Sequence, residues 1–307
     1  MNMLADLIKL ALKGMPNRSG IYLARALLIT FALALRNIFS SKNVKFQANK
    51  IKSEIWDTII LWLQFQIKYI HPKDYARCPA ILAVAGGYAS PLDLSNVSTN
   101  TYDLENADRM ASYFARGFRG YEHQDYKNWI LGVTACIRKA EDLSGESILS
   151  EEMAVVEIGA GMGGILGLAK LNNATCYYSY DFREMQHIQR YIGDFMSIPH
   201  NFLRFHTVNA NNKELKISVP NTKYSLFAFW SFTEVNLEER IHYFKLIKRA
   251  ETTIITCNKN FEGADNFLFL EKMSQILGLR AQYVEFVEIF GTKIPKYLQA
   301  HRLYVLK

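Results

Sequence analysis

Val155-Val156-Glu157-Ile158-Gly159-Ala160-Gly161-Met162-Gly163-Gly164 is the stretch on which the fold turns. It begins as an apolar strand and ends in the opening of an apolar helix, the setting in which a glycine-rich loop has meaning. Glycines let the chain turn sharply and bring main chain close to a ligand with no side chain between. The helix N-terminus leaves free N–H groups beside the loop. The spacing fits both G-x-G-x-G (159, 161, 163) and G-x-G-x-x-G (159, 161, 164), so the glycines alone leave a dinucleotide site open.

Outward from this loop, strands and helices alternate. After strand 154–159 come helix 163–171, strand 175–182, helix 184–196 and strands 202–210 and 224–231. Helix 237–250, strand 252–258 and helix 266–278 follow, and strands 280–291 and 301–307, joined by GTKIPKYLQA, end the chain. Such alternation demands a parallel sheet with helices on both faces. The final connection suits an antiparallel edge pair. Upstream, residues 53–145 read as mainly helical. Apolar residues recur near a 3.6 period over 53–70, His71-Pro72 stops that helix, and 76–103 is rich in turn residues. A helix begins at Asp103 or Asn106, another spans 124–143, and Ser144-Gly145-Glu146 is a linker.

The composition is globular: 307 residues, half of them hydrophobic, 21% charged and 13% aromatic, which excludes a mainly disordered chain. Cys78, Cys136, Cys176 and Cys257 form no C-x-x-C pair, so free thiols in a reducing, cytoplasmic compartment are expected. The net charge of +7 is concentrated at one end. Residues 1–52 carry nine basic side chains against the single acid Asp6, a balance of +8, which leaves −1 for the rest. Residues 53–307 therefore have no basic stripe for nucleic acid. The arm itself is apolar, with a break at Met15-Pro16-Asn17 and an apolar run from Ile21 to Leu35 interrupted by Arg25. The run is too short and too charged to span a bilayer, and it lacks the order of a signal peptide. Two readings stand: a buried or lid-packing helix pair, or an interfacial helix resting on an anionic membrane surface. A homo-oligomer contact is a further use of this arm.

Two side chains tilt the choice of ligand. Glu157, two residues before the first glycine, can organise the loop and face a cationic aminoacyl-sulfonium group, whereas a pyrophosphate gains nothing from a carboxylate there. Asp181, ending the next strand, is placed to accept hydrogen bonds from ribose hydroxyls of either ligand.

With the loop, the acid and the terminal strand pair together, residues 151–307 resemble a class I S-adenosylmethionine-dependent methyltransferase. Glu157-Ile158-Gly159 with Met162-Gly163-Gly164, Asp181, and Ala228-Phe229-Trp230-Ser231-Phe232-Thr233-Glu234 are similar to the bacterial sugar O-methyltransferases associated with surface-polysaccharide gene clusters. The resemblance implies an α/β fold, a Rossmann-like sheet of seven strands in the order 3-2-1-4-5-7-6 with the last strand antiparallel, beside an N-terminal mainly helical domain. The division it suggests is a basic arm (1–52), a helical lid and acceptor domain (53–145) and a domain for S-adenosyl-L-methionine (151–307). Gly159, Ala160, Gly161 and Gly163 would line the methionine moiety, Asp181 the ribose and Phe182 the adenine. Asn209-Ala210 stands where the family often has an Asp-Ala-like pair; Asn209 keeps hydrogen-bonding capacity without the charge.

Methyl transfer to a sugar hydroxyl needs an acceptor oxygen held about 3 Å from a sulfonium methyl, water excluded, and help with the proton. Open parallel sheets bind ligands beyond the carboxyl ends of their strands, where 229–234 falls. Trp230 offers an apolar face there, and Glu234 is the leading candidate base, with a helix-capping role as its plain alternative. In the polar-aromatic cluster Tyr113, Arg116, Arg119, Tyr121, His123 and Asp125, Arg116 could hold the methionine carboxylate and His123 could act as a base. His187 and His242 read as ordinary helix positions. Strand five ends Thr256-Cys257-Asn258-Lys259-Asn260 without an acid, so metal independence is expected. The expected acceptor is a sugar or glycan precursor. An NAD-type oxidoreductase, a methyltransferase of another small molecule or lipid, and a non-catalytic methyltransferase-like subunit are the alternatives.

Overall fold

The computed structural model describes residues 100–118, 123–208, 219–261 and 263–307, together with positions 60, 63, 64, 66, 67, 71–77, 94 and 97. The basic arm, Arg119, Tyr121, Asn209 and Ala210 lie outside the described residues.

After the tight turn Pro72–Arg77 come two helices, α1 (Thr101–Gly117) and α2 (His123–Ser144). Helix α1 starts at Thr101 rather than at Asp103 or Asn106. The Asn100 side chain accepts the Asp103 N–H at 2.8 Å, an N-cap inside what reads as a turn-rich stretch. Then alternate β1 (Ala154–Ile158), α3 (Gly164–Leu171), β2 (Tyr177–Asp181), α4 (Arg183–Phe195), β3 (Leu203–Thr207), β4 (Tyr224–Phe229), α5 (Leu237–Arg240), α6 (Phe244–Arg249), β5 (Thr252–Cys257) and α7 (Asn266–Leu277). The chain closes with β6 (Ala281–Glu285), α8 (Phe286–Phe290), α9 (Lys296–Gln299) and β7 (Arg302–Leu306). A two-residue hairpin pairs Asn260-Phe261 with Ala264-Asp265 ahead of α7.

The seven strands form one sheet in the order 3-2-1-4-5-7-6. All neighbours are parallel except β7, which is antiparallel to both β5 and β6. This is the Rossmann-like sheet expected from the resemblance. Order reverses between β1 and β4, so the crevice for a ligand opens where Ile158 and Phe229 end their strands.

Alternate residues feed two cores. Val155, Tyr177, Phe227 and Ile254 face α1–α4, with Met110, Phe114, Ile130, Ile165 and Ile188 packed against them. Val156, Tyr180, Leu226 and Ile255 face Leu246, Ile247, Leu270 and Met273 on the other side. Strands buried on both faces explain their near-continuous apolar sequence.

Two expected elements differ. The strand expected over 280–291 stops at Glu285 and α8 follows. Glu285 and Glu288 form a capping box, and Phe286 and Phe290 are buried while Glu288 between them is exposed, which is a helical and not a strand pattern. The helix expected over 237–250 is divided by the tighter turn Ile241–Tyr243. At three residues per turn, that segment keeps both Arg240 and Tyr243 facing inward.

Candidate cofactor and acceptor site

The glycine loop leaves β1 with Gly159, Gly161 and Gly163 at φ +66°, +51° and +72°, a region costly to residues with a Cβ. The alternate-glycine spacing is the one the backbone uses; Gly164 is the first residue of α3. Two of the loop's glycines also admit a close neighbour. A Cβ on Gly159 would collide with Ser231, whose hydroxyl donates to the Ile158 carbonyl, and a Cβ on Gly164 would collide with the Trp129 ring.

Asp181 sits across from the loop. Its Oδ1 accepts the Phe182 N–H at 2.7 Å, and its Oδ2 accepts the Gly161 N–H at 3.2 Å and the Gln189 amide at 2.9 Å. Burial nonetheless pushes its carboxyl up to about 7, against the pull of these donors. The Gln186 amide donates to the Asp181 carbonyl at 3.1 Å and its oxygen accepts Thr207 Oγ1, so the ends of β2 and β3 are tied together. Phe182, half-buried, is the N-cap residue of α4. On β1, Glu157 is buried and accepts the Tyr177 hydroxyl, and burial raises its carboxyl to about 8.

Beyond β4, Trp230 takes φ +63°, a strained conformation for so large a residue, and its N–H donates to the Thr256 carbonyl at 2.9 Å. Its ring packs edge-on against Phe286 and His301 with centroids 5.9 and 6.0 Å away. Glu234 ends the turn Phe232–Glu234, and burial pushes its carboxyl up to about 7. That turn is clamped by Arg240, a buried guanidinium. Its Nη2 donates to the Thr233 carbonyl at 2.5 Å, its Nε to the Val235 carbonyl at 2.8 Å and its Nη1 to Asn266 Oδ1 at 2.8 Å. Asn266 in turn donates to the Asn258 carbonyl at 3.1 Å, which joins the carboxyl ends of β4 and β5.

The structure thus gathers Glu157, the three glycines, Ala160, Asp181, Phe182 and Trp230 at one end of the sheet. Arg116 and His123 make their hydrogen bonds within the α1–α2 pair. Arg116 Nε donates to the Ser112 carbonyl at 3.2 Å and its guanidinium lies over Tyr113; His123 Nε2 is 3.3 Å from Ser112 Oγ and 3.7 Å from Asp108. His242 falls in the turn between α5 and α6, and His187 is exposed on α4. Gln189, Trp129, Arg240 and His301 are absent from the sequence reading, and Ser231 enters it only within the segment 228–234. A glutamine eight residues past the acid, on the inward face of an amphipathic helix, was the one readable signal among them. Among the described residues no cluster of three or more His, Cys, Asp or Glu side chains could hold a metal ion, and no helix is long and apolar enough to cross a membrane.

No family model matches the chain, and no curated protein matches it. Solved structures do. A SAM-dependent methyltransferase from Aquifex aeolicus is 19% identical, with 54% of this chain and 88% of that one covered and a TM-score of 0.39. Methyltransferases from Mesorhizobium loti (12% identity, 56% and 97% covered, TM-score 0.40) and Clostridium acetobutylicum (11%, 57% and 90%, 0.43) are similar to it to the same degree. The likeness is too distant to bear on activity, and the fold rests on the strand order itself.

Proposed function

We propose that this chain is an S-adenosylmethionine-dependent methyltransferase, and within that class an O-methyltransferase of a sugar hydroxyl on a surface glycan or its precursor. One observation carries the class: an alternate-glycine loop whose middle N–H, on Gly161, is hydrogen-bonded to the acid that ends β2. The residues present fit such a cofactor. Asp181 offers a carboxylate for ribose hydroxyls, the glycines offer main chain without side chains, and Phe182 offers an aromatic face. When bound, the cofactor would supply an electrophilic methyl group on sulfur. The chain's own contribution is to exclude water with Trp230 and its aromatic neighbours and to take the acceptor's proton. Glu234, half-buried, suits the second task, because a carboxyl that desolvation pushes up to about 7 is matched to neutral pH.

The sugar acceptor rests on the likeness of Glu157-Ile158-Gly159 with Met162-Gly163-Gly164, of Asp181 and of segment 228–234, the last being the most telling. Residues 1–52 would hold the enzyme at an anionic membrane surface where lipid-linked precursors are assembled. Calorimetry with S-adenosylhomocysteine and with NADH tests the class: binding of the first and not the second is expected, and the reverse overturns it. Incubating labelled cofactor with nucleotide- and lipid-linked sugars tests the acceptor. Glu234→Gln is expected to lower kcat about 100-fold with cofactor affinity unchanged.

A further inference from the structure

Gln189 has no part in the reading above, yet it is fully buried and all of its amide is in use. The Ser179 hydroxyl donates to its Oε1 at 2.7 Å, and two acceptors at the other end, the Gly161 carbonyl and the Asp181 carboxylate, fix where the amide nitrogen lies. Its Nε2 then faces the loop and donates twice, to the Gly161 carbonyl at 3.0 Å and to Asp181 Oδ2 at 2.9 Å. The same Oδ2 accepts the Gly161 N–H. One primary amide therefore closes a ring through the middle glycine and the acid, and a serine on β2 satisfies its oxygen.

We propose that Gln189 is a positioning residue of the cofactor site, setting the separation and orientation of Gly161 and Asp181 through its amide. A packing role alone needs neither of the two amide ends. Leucine or methionine would fill the space, and a buried amide is costly unless satisfied. The geometry here satisfies it only with site groups and with the Ser179 hydroxyl. The inference rests on Asp181 binding the cofactor's ribose.

The test is calorimetric binding of S-adenosylhomocysteine to the full chain, with thermal melting of every variant as the folding control. Gln189→Met keeps the volume and removes the amide; affinity is expected to fall about tenfold. In an Asp181→Ala background the same change is expected to cost twofold or less, because the residue through which it acts is gone. Losses that simply add would assign Gln189 to packing and overturn the proposal.

A pH profile gives a second readout. The groups facing Asp181 are the Ala160, Gly161 and Phe182 N–H groups and Gln189, with Glu157, Tyr177 and Tyr243 nearby. Removing the Gln189 donor weakens the ionised acid, so the midpoint at which affinity rises with pH is expected to move up by ~0.5–1 unit. An unmoved midpoint counts against the proposal. Should Gln189→Met fail to fold, Ser179→Ala removes the donor to Oε1, loosens the amide and is expected to weaken binding about threefold; unchanged affinity there overturns it. If the wild-type chain binds no S-adenosylhomocysteine, the functional reading fails and the role for Gln189 falls with it. If the wild type binds and Gln189→Met binds equally, only the role for Gln189 fails.

Discussion

Gly159 shows at one residue why the loop tolerates no side chain. Its φ of +66° costs an alanine roughly 1–2 kcal/mol, and a Cβ there would run into Ser231, the residue that ties the end of β4 to the Ile158 carbonyl. Relief would come only by moving Ser231, and Trp230 beside it is already strained. Gly159→Ala is therefore expected to lower stability by about 2–4 kcal/mol, read from urea unfolding, and to abolish S-adenosylhomocysteine binding. Gly145, also at positive φ but with open space around its missing Cβ, makes the control. Gly145→Ala should cost only the conformational term of about 1 kcal/mol and leave binding intact. Equal effects at both positions would show that backbone conformation alone, and not the contact with Ser231, governs the loop.

At the scale of elements, α8 matters most, because it carries Phe286 to within 5.9 Å of the Trp230 ring. Its five residues could not hold as a helix alone. The capping box of Glu285 and Glu288 starts it, and Phe286 and Phe290 anchor it. Glu288→Ala is expected to cost about 0.5–1 kcal/mol and Phe286→Ala about 3–5 kcal/mol in urea unfolding. A Glu288→Ala cost as large as that of Phe286→Ala would mean that the cap and not the packing holds this wall. The same element marks the limit of what the sequence discloses. Long alternating segments, the glycine loop and the acid at Asp181 are legible because hydrophobic period and glycine spacing are local properties. Phe286-Val287-Glu288-Ile289-Phe290 is apolar on both a strand and a helix template, and only the partner surface, Trp230 and His301, decides between them. The roles of Arg240 and Ser231 are opaque for a related reason. Their roles consist of hydrogen bonds to groups outside their own element, and nothing local in a polar side chain announces such a partner.

Across the whole molecule, three carboxyls lie at the same end of the sheet, Glu157 and Asp181 buried and Glu234 half-buried, and desolvation raises all three: Glu157 to about 8, Asp181 and Glu234 to about 7. In the unfolded chain they titrate near 4, so between the two values the native state holds more protons than the unfolded state. Their contribution to stability is full below about pH 4 and is lost as pH rises through 7 to 8. Taken alone, these groups make the chain less stable at about pH 8.5 than at about pH 5 by a few kcal/mol, or roughly 5–10 °C in melting temperature. Cofactor binding should run the other way. Asp181 accepts ribose hydroxyls best when ionised, so S-adenosylhomocysteine affinity is expected to rise across the range in which the empty protein loses stability. Asp181→Asn separates the two slopes: it removes one titrating group, flattens the stability profile in part, and takes away the gain in affinity with pH. Melting curves and calorimetry over one pH series decide the matter. If stability and affinity rise together, or if Asp181→Asn leaves both slopes unchanged, the buried carboxyls do not couple protonation to the site.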